Sequence, residues 1–195
     1  PAIGAVGLLA DWDKSATIAF KAAGETIVLI GHSDSHVGQS LWLSECHGRK
    51  EGPPPPVDLA AERRAGELVR GLIADDLVSA VHDCSDGGAA VALAEMALAG
   101  GIGLTMPVVA QIPNPAAILF GEDQGRYAVT TSDPDKVRAL ANEAQLFAVP
   151  IGTTGGDALV FDLIDRGGRQ SVTLAELRAA HEGFFPKLMG AELAL

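Results

Sequence analysis

The sequence predicts an α/β (α+β) protein: one domain over residues 1–195, with a mixed β-sheet covered by about four helices. Two observations support this class. Runs of β-branched and other apolar residues alternate with amphipathic helical segments, as they do when helices cover a sheet. No linker-like stretch separates two cores, and a hydrophobic fraction of 48% is enough for one packed interior.

The first third of the chain predicts two strands, a long loop and a helix. Residues 3–9 are apolar with interspersed glycines, and residues 25–30 read ETIVLI, so both favour strands. Residues 31–56 are rich in Gly, Ser, His and Pro and form a long connection, in which a short helix is expected within QSLWLSEC. Asp58 caps a predicted helix that runs to residue 73 and has one apolar and one charged face.

The middle of the chain predicts two strands on either side of a helix. Residues 77–82 favour a buried strand that leads directly into the turn HDCSDGG. The helix after this turn is expected to end at the glycine pair Gly100-Gly101. Residues 102–106 then favour a short strand that Pro107 is expected to end.

Residues 112–120 hold two prolines, and no regular element is predicted there. Residues 127–131 favour a strand, and residues 134–146 an amphipathic helix capped by Asp133.

The last third predicts two strands and a final helix. Strands at 150–153 and 158–164 are expected to pair through a hairpin-type connection at 154–157. Thr173 is the predicted cap of the last helix, which runs to residue 181, and Glu176 completes a capping box.

The composition excludes several classes of function. With 14 basic and 25 acidic residues the net charge is −11, and only 5% of residues are aromatic, so no nucleic-acid partner is expected. No apolar run approaches the roughly 18 residues of a membrane span, so no membrane partner is expected either. Two cysteines predict no disulfide framework and favour a cytoplasmic protein. An anionic ligand would have to be held by local groups such as helix N-termini, single arginines or metal ions.

The turn HDCSDGG (residues 82–88) is the first candidate site. The predicted order is a strand, then a tight turn with Gly87 and Gly88, then a helix. In this arrangement the backbone N–H groups at the start of the helix point to the space above the sheet. Asp83 and Asp86 could bind Mg²⁺, which needs only one or two protein oxygens when phosphates and waters complete its shell. The alternative is that Ser85 or Asp86 simply caps the helix and the glycines provide turn geometry.

The turn GEDQGR (residues 121–126) is the second candidate site. Gln124 and Arg126 could donate hydrogen bonds to phosphate or ribose oxygens, and Glu122 could accept a proton or coordinate a cation. Asp123 adds a fourth polar group to this predicted ligand-facing loop. The alternative is a solvated charged turn with no ligand.

The remaining chemistry-bearing residues give weaker patterns. Four side chains in one loop could ligate zinc, but without the CxxC or HExxH spacing that makes such a prediction specific. These four are His32, His36, Cys46 and His47. His82 and Asp83 are adjacent on a strand and are expected to point to opposite faces, so no acid–base pair is predicted. Cys84 is predicted to be a small buried residue.

The motifs together resemble a known family. The segments AIGAVGLLAD (2–11), ETIVLIG (25–31), PPPVDLAAE (54–62), SAVHDCSDGGAAVALAEMA (79–97) and LFGEDQGRYAVT (119–130) are similar to the last domain of the phosphoribosylformylglycinamidine synthases, large synthetases of purine biosynthesis. The resemblance spans nearly the whole chain in the expected order. It implies the AIR-synthase-related C-terminal fold, in the second of two pseudo-repeats, preceded by nucleotide-binding domains that this sequence, which starts at Pro1, lacks.

The resemblance also implies an activity. The family's enzymes are ATP-dependent C–N ligases that convert formylglycinamide ribonucleotide, ATP and glutamine-derived ammonia to formylglycinamidine ribonucleotide, with Mg²⁺. Their partners are a glutaminase subunit and a small third subunit. The isolated domain is expected to be inactive, because the phosphoryl chemistry would lie with the missing domains of the same chain.

Site residues carry over by their place in the motifs. The Mg²⁺-binding aspartate of the family's first repeat corresponds to Asp83, and the substrate-binding ESQ tripeptide of that repeat to Glu122, Asp123 and Gln124. In the second repeat the resemblance implies an auxiliary nucleotide site at the equivalent pocket more than the place of chemistry. The family usually has Ser at the position of Asp123, and the added carboxylate would repel a phosphate unless a metal intervenes.

Two other functions stay open at this point. The chain could be the C-terminal domain of another ATP-dependent enzyme with this fold, such as aminoimidazole ribonucleotide synthetase, selenophosphate synthetase or a hydrogenase maturation factor. It could also be a non-catalytic docking domain with a vestigial pocket.

Overall fold

A computed structural model describes residues 4–34, 36–108, 115–163 and 168–190. Within these ranges seven strands form one sheet in the order β2-β4-β1-β5-β3-β6-β7. Only the β3–β6 pair is parallel, so the predicted mixed sheet is confirmed. The strands are β1 (Thr26–Ile30), β2 (Ala80–Asp83), β3 (Leu104–Val108), β4 (Tyr127–Thr131), β5 (Ala148–Thr154), β6 (Ala158–Leu163) and β7 (Gly168–Thr173).

The described residues form six α-helices, where about four were predicted. Two of them, of six and five residues, are too short to show a helical period in the sequence. The predicted short helix in the long loop is a single π-helical turn, Trp42–Cys46. The α-helices are α1 (Leu59–Ala74), α2 (Gly88–Gly100), α3 (Pro115–Phe120), α4 (Pro134–Glu143), α5 (Leu174–Glu182) and α6 (Phe184–Leu188).

The interior strand β1 is buried on both faces, and its contacts show the order of the layers. Val28 and Ile30 pack in an apolar cluster with residues of α1 and α4. Ile27 and Leu29 point the other way and pack in the cluster built around α2. The sheet therefore lies between α1 and α4 on one face and α2 on the other, as the continuous apolar run of β1 requires. None of the helices in the described ranges combines the length and apolar sequence needed to cross a membrane.

The predicted helix caps are confirmed. The Asp58 carboxylate accepts hydrogen bonds from the N–H groups of Ala60 and Ala61 at the start of α1. Asp133 does the same for α4, and Thr173 and Glu176 form the predicted capping box at α5. These caps depend on residues at most three positions apart, which is why the sequence alone identifies them.

The predicted first strand is wrong over its described part. Residues 4–9 form no regular structure, and the side chains of Val6 and Leu8 are fully exposed. Residues 1–3 lie outside the described residues. An apolar sequence becomes a strand only when another strand pairs with it, and no strand of the described residues pairs with residues 4–9.

Pro107 does not end β3, contrary to the prediction. The strand pairs with β6 as far as Val108, with Pro107 opposite Asp162. On its other side β3 pairs with β5 only at Leu104 and Thr105. At Pro107 the strand thus has one neighbour, and proline is tolerated where a strand has a free side.

The predicted hairpin of the last two strands is also wrong. β5 and β6 follow each other in sequence, but β3 lies between them in the sheet. β6 instead forms a hairpin-like antiparallel pair with β7, a strand that the sequence did not indicate. The residues of β7 are mostly exposed and polar, so they lack an apolar alternation. Residues 164–167, which include the predicted end of the strand 158–164, lie outside the described residues.

Candidate functional site

The two candidate turns meet at one edge of the sheet. β4 is antiparallel to both β1 and β2, so the ends of β1 and β2 lie beside the beginning of β4. Three segments leave or enter the sheet at that edge. They are the long loop 31–57, the turn 84–87 and the turn 121–126. The fold therefore places HDCSDGG and GEDQGR next to each other and beside the long loop.

The Glu122 carboxylate joins these three segments. Its Oε1 atom accepts hydrogen bonds from the backbone N–H of Gly87, at 2.9 Å, and of Leu41, at 2.8 Å. The Glu122 N–H donates to the carbonyl oxygen of His36 at 3.0 Å. A negative side chain at the start of a helix interacts favourably with the helix dipole and satisfies a terminal N–H group. The position that a phosphate oxygen could take at the start of α2 is thus filled by a carboxylate of the protein.

Gly87 and Gly88 allow two backbone segments to approach closely. Both have positive φ angles, +79° and +67°, which other residues rarely adopt. A Cβ atom on Gly88 would lie 2.4 Å from the carbonyl oxygen of Gly121. Gly87 is itself the N-cap of α2, with no side-chain capping bond, so the alternative that Ser85 or Asp86 caps this helix is wrong. Glycine occupies the N-cap because the residue at that position has a left-handed backbone.

Asp83 is an exposed and oriented carboxylate. Its side chain is 62% exposed. Its Oδ2 atom accepts a hydrogen bond from the Ser85 hydroxyl at 2.6 Å, and this bond is the main reason that the pKa of Asp83 is lowered from its ordinary value. Its Oδ1 atom lies 3.3 Å from Nδ1 of His82. Asp86 is also exposed, in the same turn.

The expectation that His82 and Asp83 point apart is wrong. Asp83 is the last residue of β2, so no further strand residue keeps the two side chains on opposite faces. The other ring nitrogen of His82, Nε2, lies 2.9 Å from Oε2 of Glu95 on α2. Glu95 belongs to neither sequence motif, although it is the one charged residue among the thirteen of α2. A lone charge in an apolar helix was the available signal.

Arg126 is buried and tied to the protein. Its side chain has no exposed surface. Nε donates to the carbonyl oxygen of Asp123 at 3.2 Å, Nη1 donates to the Ser33 hydroxyl at 3.2 Å, and Nη2 donates to the carbonyl oxygen of Gly121. In this geometry the guanidinium holds the turn 121–126 against the loop after β1. It would have to leave these partners to reach a phosphate.

Asp123 is buried beside Arg126. Its residue is 6% exposed, and its Oδ1 atom accepts a hydrogen bond from the N–H of His36 at 3.2 Å. Its Oδ2 atom lies 3.9 Å from Nη1 of Arg126. Two of the four polar residues of the turn are therefore buried, and the alternative of a solvated charged turn is wrong.

Gln124 borders a cavity of about 400 Å³. Its side chain is exposed, and Nε2 donates to the carbonyl oxygen of Glu122 at 3.2 Å. The cavity lies between the turn 123–125, the start of α1 and residues 145–147. Phe147 and Val57 give it an apolar wall. Its charged lining is one cation, Arg64, and four carboxylates, those of Asp34, Asp58, Glu62 and Asp123. Of the described residues, those of the turn 82–88 do not line it.

The four loop residues considered as zinc ligands do not form a metal site. Among the described residues, no group of three or more His, Cys, Asp or Glu side chains could hold a metal ion. His32 pairs with Asp34 and packs edge-on against Phe147. His36 and His47 border a second hollow, of about 480 Å³.

The two cysteines differ in exposure. Cys46 is exposed. Cys84 is buried, as predicted, and burial raises the pKa of its thiol to about 11.

Comparison with known protein families identifies the family to which this chain belongs. The family described as "AIR synthase related protein, C-terminal domain" matches residues 22–162, which include both turns. The chain belongs to this family. The matched range runs from the segment before β1 to β6 and so contains the sheet edge at which the turns meet.

Curated relatives of this AIR-synthase-related domain are similar over its whole length. The phosphoribosylformylglycinamidine synthase subunit PurL of Rhizobium meliloti is 49% identical over 199 residues, 100% of this chain and 26% of that protein. The subunit of the same name from Mesorhizobium japonicum is 50% identical over 198 residues, 97% of this chain and 26% of that protein. The chain spans about a quarter of the length of these relatives.

Solved structures share the fold of this family member. Thermotoga maritima PurL complexed with FGAR has a TM-score of 0.71 and 21% identity, over 85% of this chain and 30% of that one. Escherichia coli HypE has a TM-score of 0.58 and 17% identity, over 82% of this chain and 52% of that one. These two likenesses support the predicted AIR-synthase-related C-terminal fold.

Proposed function

We propose that the chain is the C-terminal domain of the second repeat of a phosphoribosylformylglycinamidine synthase. Identity of 49–50% to synthase subunits over essentially the whole chain carries this proposal. The complete enzyme would be a cytoplasmic ATP-dependent ligase that makes formylglycinamidine ribonucleotide from formylglycinamide ribonucleotide, ATP and ammonia. Residues 1–195 would act as one domain of it, and the phosphoryl chemistry would lie with other domains.

In this proposal the sheet edge supplies the ligand contacts. The cavity beside Gln124 would take part of a nucleotide or of the ribonucleotide substrate, because its volume of about 400 Å³ suits a small ligand. Four carboxylates line it besides Arg64, so a phosphate bound there would need a cation to offset their charge. Asp123 would form part of the wall without repelling a phosphate, since it is directed at the His36 N–H and lies near Arg126. Glu122 and Arg126 would hold the loops in place, as would Gly87 and Gly88 through their close packing.

Asp83 and Asp86 fit a magnesium ion. Both residues are exposed in one turn, and an aspartate is ionised at neutral pH. Mg²⁺ prefers oxygen ligands and takes most of them from phosphates and water, so one or two protein carboxylates suffice. A bound Mg²⁺ would neutralise phosphate charge. The chain's own part would be to present the two carboxylates beside the start of α2, outside the 400 Å³ cavity.

The proposed partners are those of the synthase. They are the other domains of the same polypeptide, a glutaminase subunit and a small third subunit. One solved structure similar in fold is that of the Thermotoga maritima PurLQS complex. A charge of −11 favours no nucleic-acid partner.

A segment exchange tests the proposal. The segment of the Rhizobium meliloti subunit that matches this chain is replaced by the chain, in a strain that lacks the subunit. We expect growth without added purine, and product formation by the purified chimera from formylglycinamide ribonucleotide, ATP and ammonia. The chain alone should form no product, because it would lack the domains that carry the chemistry.

The matched control places the corresponding segment of Escherichia coli HypE in the same position. It shares the fold at 17% identity and should not restore growth. A chimera that is soluble and abundant but inactive would refute the synthase assignment. Other ATP-dependent enzymes of this fold have less support, given the low identity to HypE, and equal growth with both segments would favour a generic docking role.

A further inference from the structure

The cavity of about 400 Å³ beside Gln124 is lined by an arginine with an unsatisfied donor. Among the buried side-chain nitrogen and oxygen atoms of the described residues, Nε of Arg64 alone has no hydrogen-bond partner. A buried donor without an acceptor costs free energy. Arg126, by contrast, donates to three oxygens of the protein. Arg64 is therefore the guanidinium of this region that an acceptor on a ligand would satisfy.

Three of the four carboxylates that line the cavity are engaged within the protein. Oδ1 of Asp58 accepts the N–H groups at the start of α1, and Oδ1 of Asp34 lies 3.0 Å from Nδ1 of His32. Asp123 accepts a backbone N–H at 3.2 Å. Of the four, this leaves Glu62, on the first turn of α1, as the carboxylate for a ligand donor.

An aromatic ring and two amides complete the lining. Phe147 is 61% exposed, and its ring packs against that of His32 with the centroids 5.1 Å apart. Gln124 and Gln145 each bring an amide group, which both donates and accepts hydrogen bonds. Gln145 has a left-handed backbone, with a φ of +57°, that glycine adopts with less strain. The cavity therefore combines a ring surface with several hydrogen-bonding groups.

The charge of the lining selects against a phosphate inside the cavity. One cation faces four carboxylates, and the net charge of −11 adds to the repulsion of anions. A nucleoside has no charge and meets no such repulsion. Its base offers a ring face and acceptor atoms, and its ribose hydroxyls donate to carboxylates, as they do in dinucleotide-binding folds.

We infer that the cavity binds the nucleoside part of a nucleotide and leaves the phosphates outside. Arg64 donates to an acceptor atom of the base, the base packs on Phe147, and Glu62 accepts from the ribose hydroxyls. The inference rests on the proposed function, which supplies a nucleotide as the ligand. It adds which part of that ligand the cavity holds.

Adenosine and inorganic phosphate are the probes, and the amide signals of the isotope-labelled chain in NMR spectra report where each one binds. We expect adenosine to shift the signals of residues 62–64, 124–125 and 145–147. Phosphate at the same concentration should leave these signals unshifted, and AMP should bind within about 3-fold of adenosine. The analogue 2′,3′-dideoxyadenosine, which lacks both hydroxyls, should bind about 10-fold more weakly.

Variants of the two assigned residues test each contact. Arg64→Ala should weaken adenosine binding about 10-fold, and Arg64→Lys should not restore it, because an ammonium lacks the planar donors of a guanidinium. Glu62→Ala should weaken the binding of adenosine but leave that of 2′,3′-dideoxyadenosine unchanged.

Arg63→Ala is the matched control. It removes the same charge one residue earlier, from an exposed ion pair with Glu67 outside the cavity, and should not alter the affinity for adenosine. Thermal unfolding shows whether each variant is folded. Where a variant is unfolded, the comparison of adenosine, AMP and the dideoxy analogue on the unchanged chain decides the result.

Several outcomes would overturn the inference. Phosphate that shifts the cavity signals, or AMP that binds at least about 10-fold more tightly than adenosine, would place the phosphate inside the cavity. Adenosine that shifts none of these signals, or that binds a folded Arg64→Ala protein as tightly as the unchanged chain, would contradict the assigned contacts.

The segment exchange described above tests the synthase function separately. A chimera that restores growth, combined with a chain that does not bind adenosine at the cavity, overturns the inference and leaves the function standing. A soluble but inactive chimera overturns the function, whatever the adenosine titration gives.

Discussion

The Glu122 carboxylate lies 2.9 Å from the backbone nitrogen of Gly87, a residue 35 positions earlier. This contact joins the two turns of the candidate site directly. The same oxygen accepts the N–H of Leu41, so one side chain connects the start of α2, the turn before β4 and the long loop after β1. The loops that a ligand would meet are already held together by the protein.

Glu122→Ala should therefore destabilise the domain. The change leaves two backbone N–H groups without their charged acceptor, at an expected cost of about 1–3 kcal/mol. Urea unfolding of the two proteins measures the difference in free energy of unfolding. Gln124→Ala, in the same turn but exposed, should shift it by less than about 0.5 kcal/mol. Equal effects of the two changes would contradict a tie through Glu122.

Gly88→Ala should destabilise the domain, and Gly71→Ala should stabilise it. Gly88 has a left-handed backbone, and an added Cβ would lie 2.4 Å from the Gly121 carbonyl oxygen, so the strain alone costs about 1–3 kcal/mol. Gly71 lies within α1 with open space around it, where alanine gains about 0.5–1 kcal/mol. Thermal unfolding of the two variants measures the loss of stability in one and the gain of stability in the other. A stable Gly88→Ala protein would show that the two backbone segments can separate.

Arg126→Lys should cost about 2–4 kcal/mol, because an ammonium group cannot reproduce three donations from a planar guanidinium in a closed space. Chemical unfolding measures the loss. Arg63→Lys serves as the control, since Arg63 forms an exposed ion pair with Glu67 and the exchange should change stability by less than about 0.5 kcal/mol. If the Arg126→Lys protein were as stable as the control, the guanidinium would be free to serve a ligand.

Ser85→Ala should raise the pKa of Asp83. The Ser85 hydroxyl is the main cause of the lowered pKa, and its loss moves the value back toward that of an ordinary aspartate. A depressed pKa stabilises the folded state above the unfolded pKa, and this contribution is lost as the pH falls through the folded pKa. The variant should thus be less stable at neutral pH, with the difference shrinking in acid. NMR titration of the Asp83 carboxyl carbon measures the shift, and Ser85→Thr, which keeps a hydroxyl, should cancel it.

Iodoacetamide at pH 8 should label Cys46 and spare Cys84. Cys46 is exposed, whereas the Cys84 thiol is buried with a pKa of about 11, so about one molecule in a thousand is ionised there. Mass spectrometry measures the extent of labelling at Cys46 and Cys84 in the native protein and in the urea-unfolded protein. Rapid labelling of native Cys84 would mean that the turn after β2 opens readily.

Local patterns predicted local structure well. β1 and β4 are short apolar runs, and β1 is flanked by glycines, so their place in a sheet follows from composition. The caps at Asp58, Asp133 and Thr173 follow from neighbours within three residues. The order of strands did not follow, because β3 enters between β5 and β6 through pairings that span about 50 residues.

The candidate site also has features that follow from local sequence and features that depend on tertiary contacts. The residue types of HDCSDGG and GEDQGR indicated a polar, glycine-dependent edge, and the fold brings the two turns together. Which groups face inward depends on tertiary contacts that the sequence does not display. Arg126 looked like a ligand donor but is enclosed, and Glu95 looked like part of an apolar helix but holds His82.

β1 is an interior strand of the sheet, and the strands on both of its sides are synthesised after it. Thr26 pairs with Thr131 on one side and with Thr153 on the other, so its partners emerge more than about 100 residues later. At roughly 5–20 residues per second, the segment TIVLI waits on the order of 5–20 seconds after translation before any neighbouring strand exists. During that time an apolar, β-branched sequence has no partner strand, and β1 waits longer for its first partner than any other strand of this sheet.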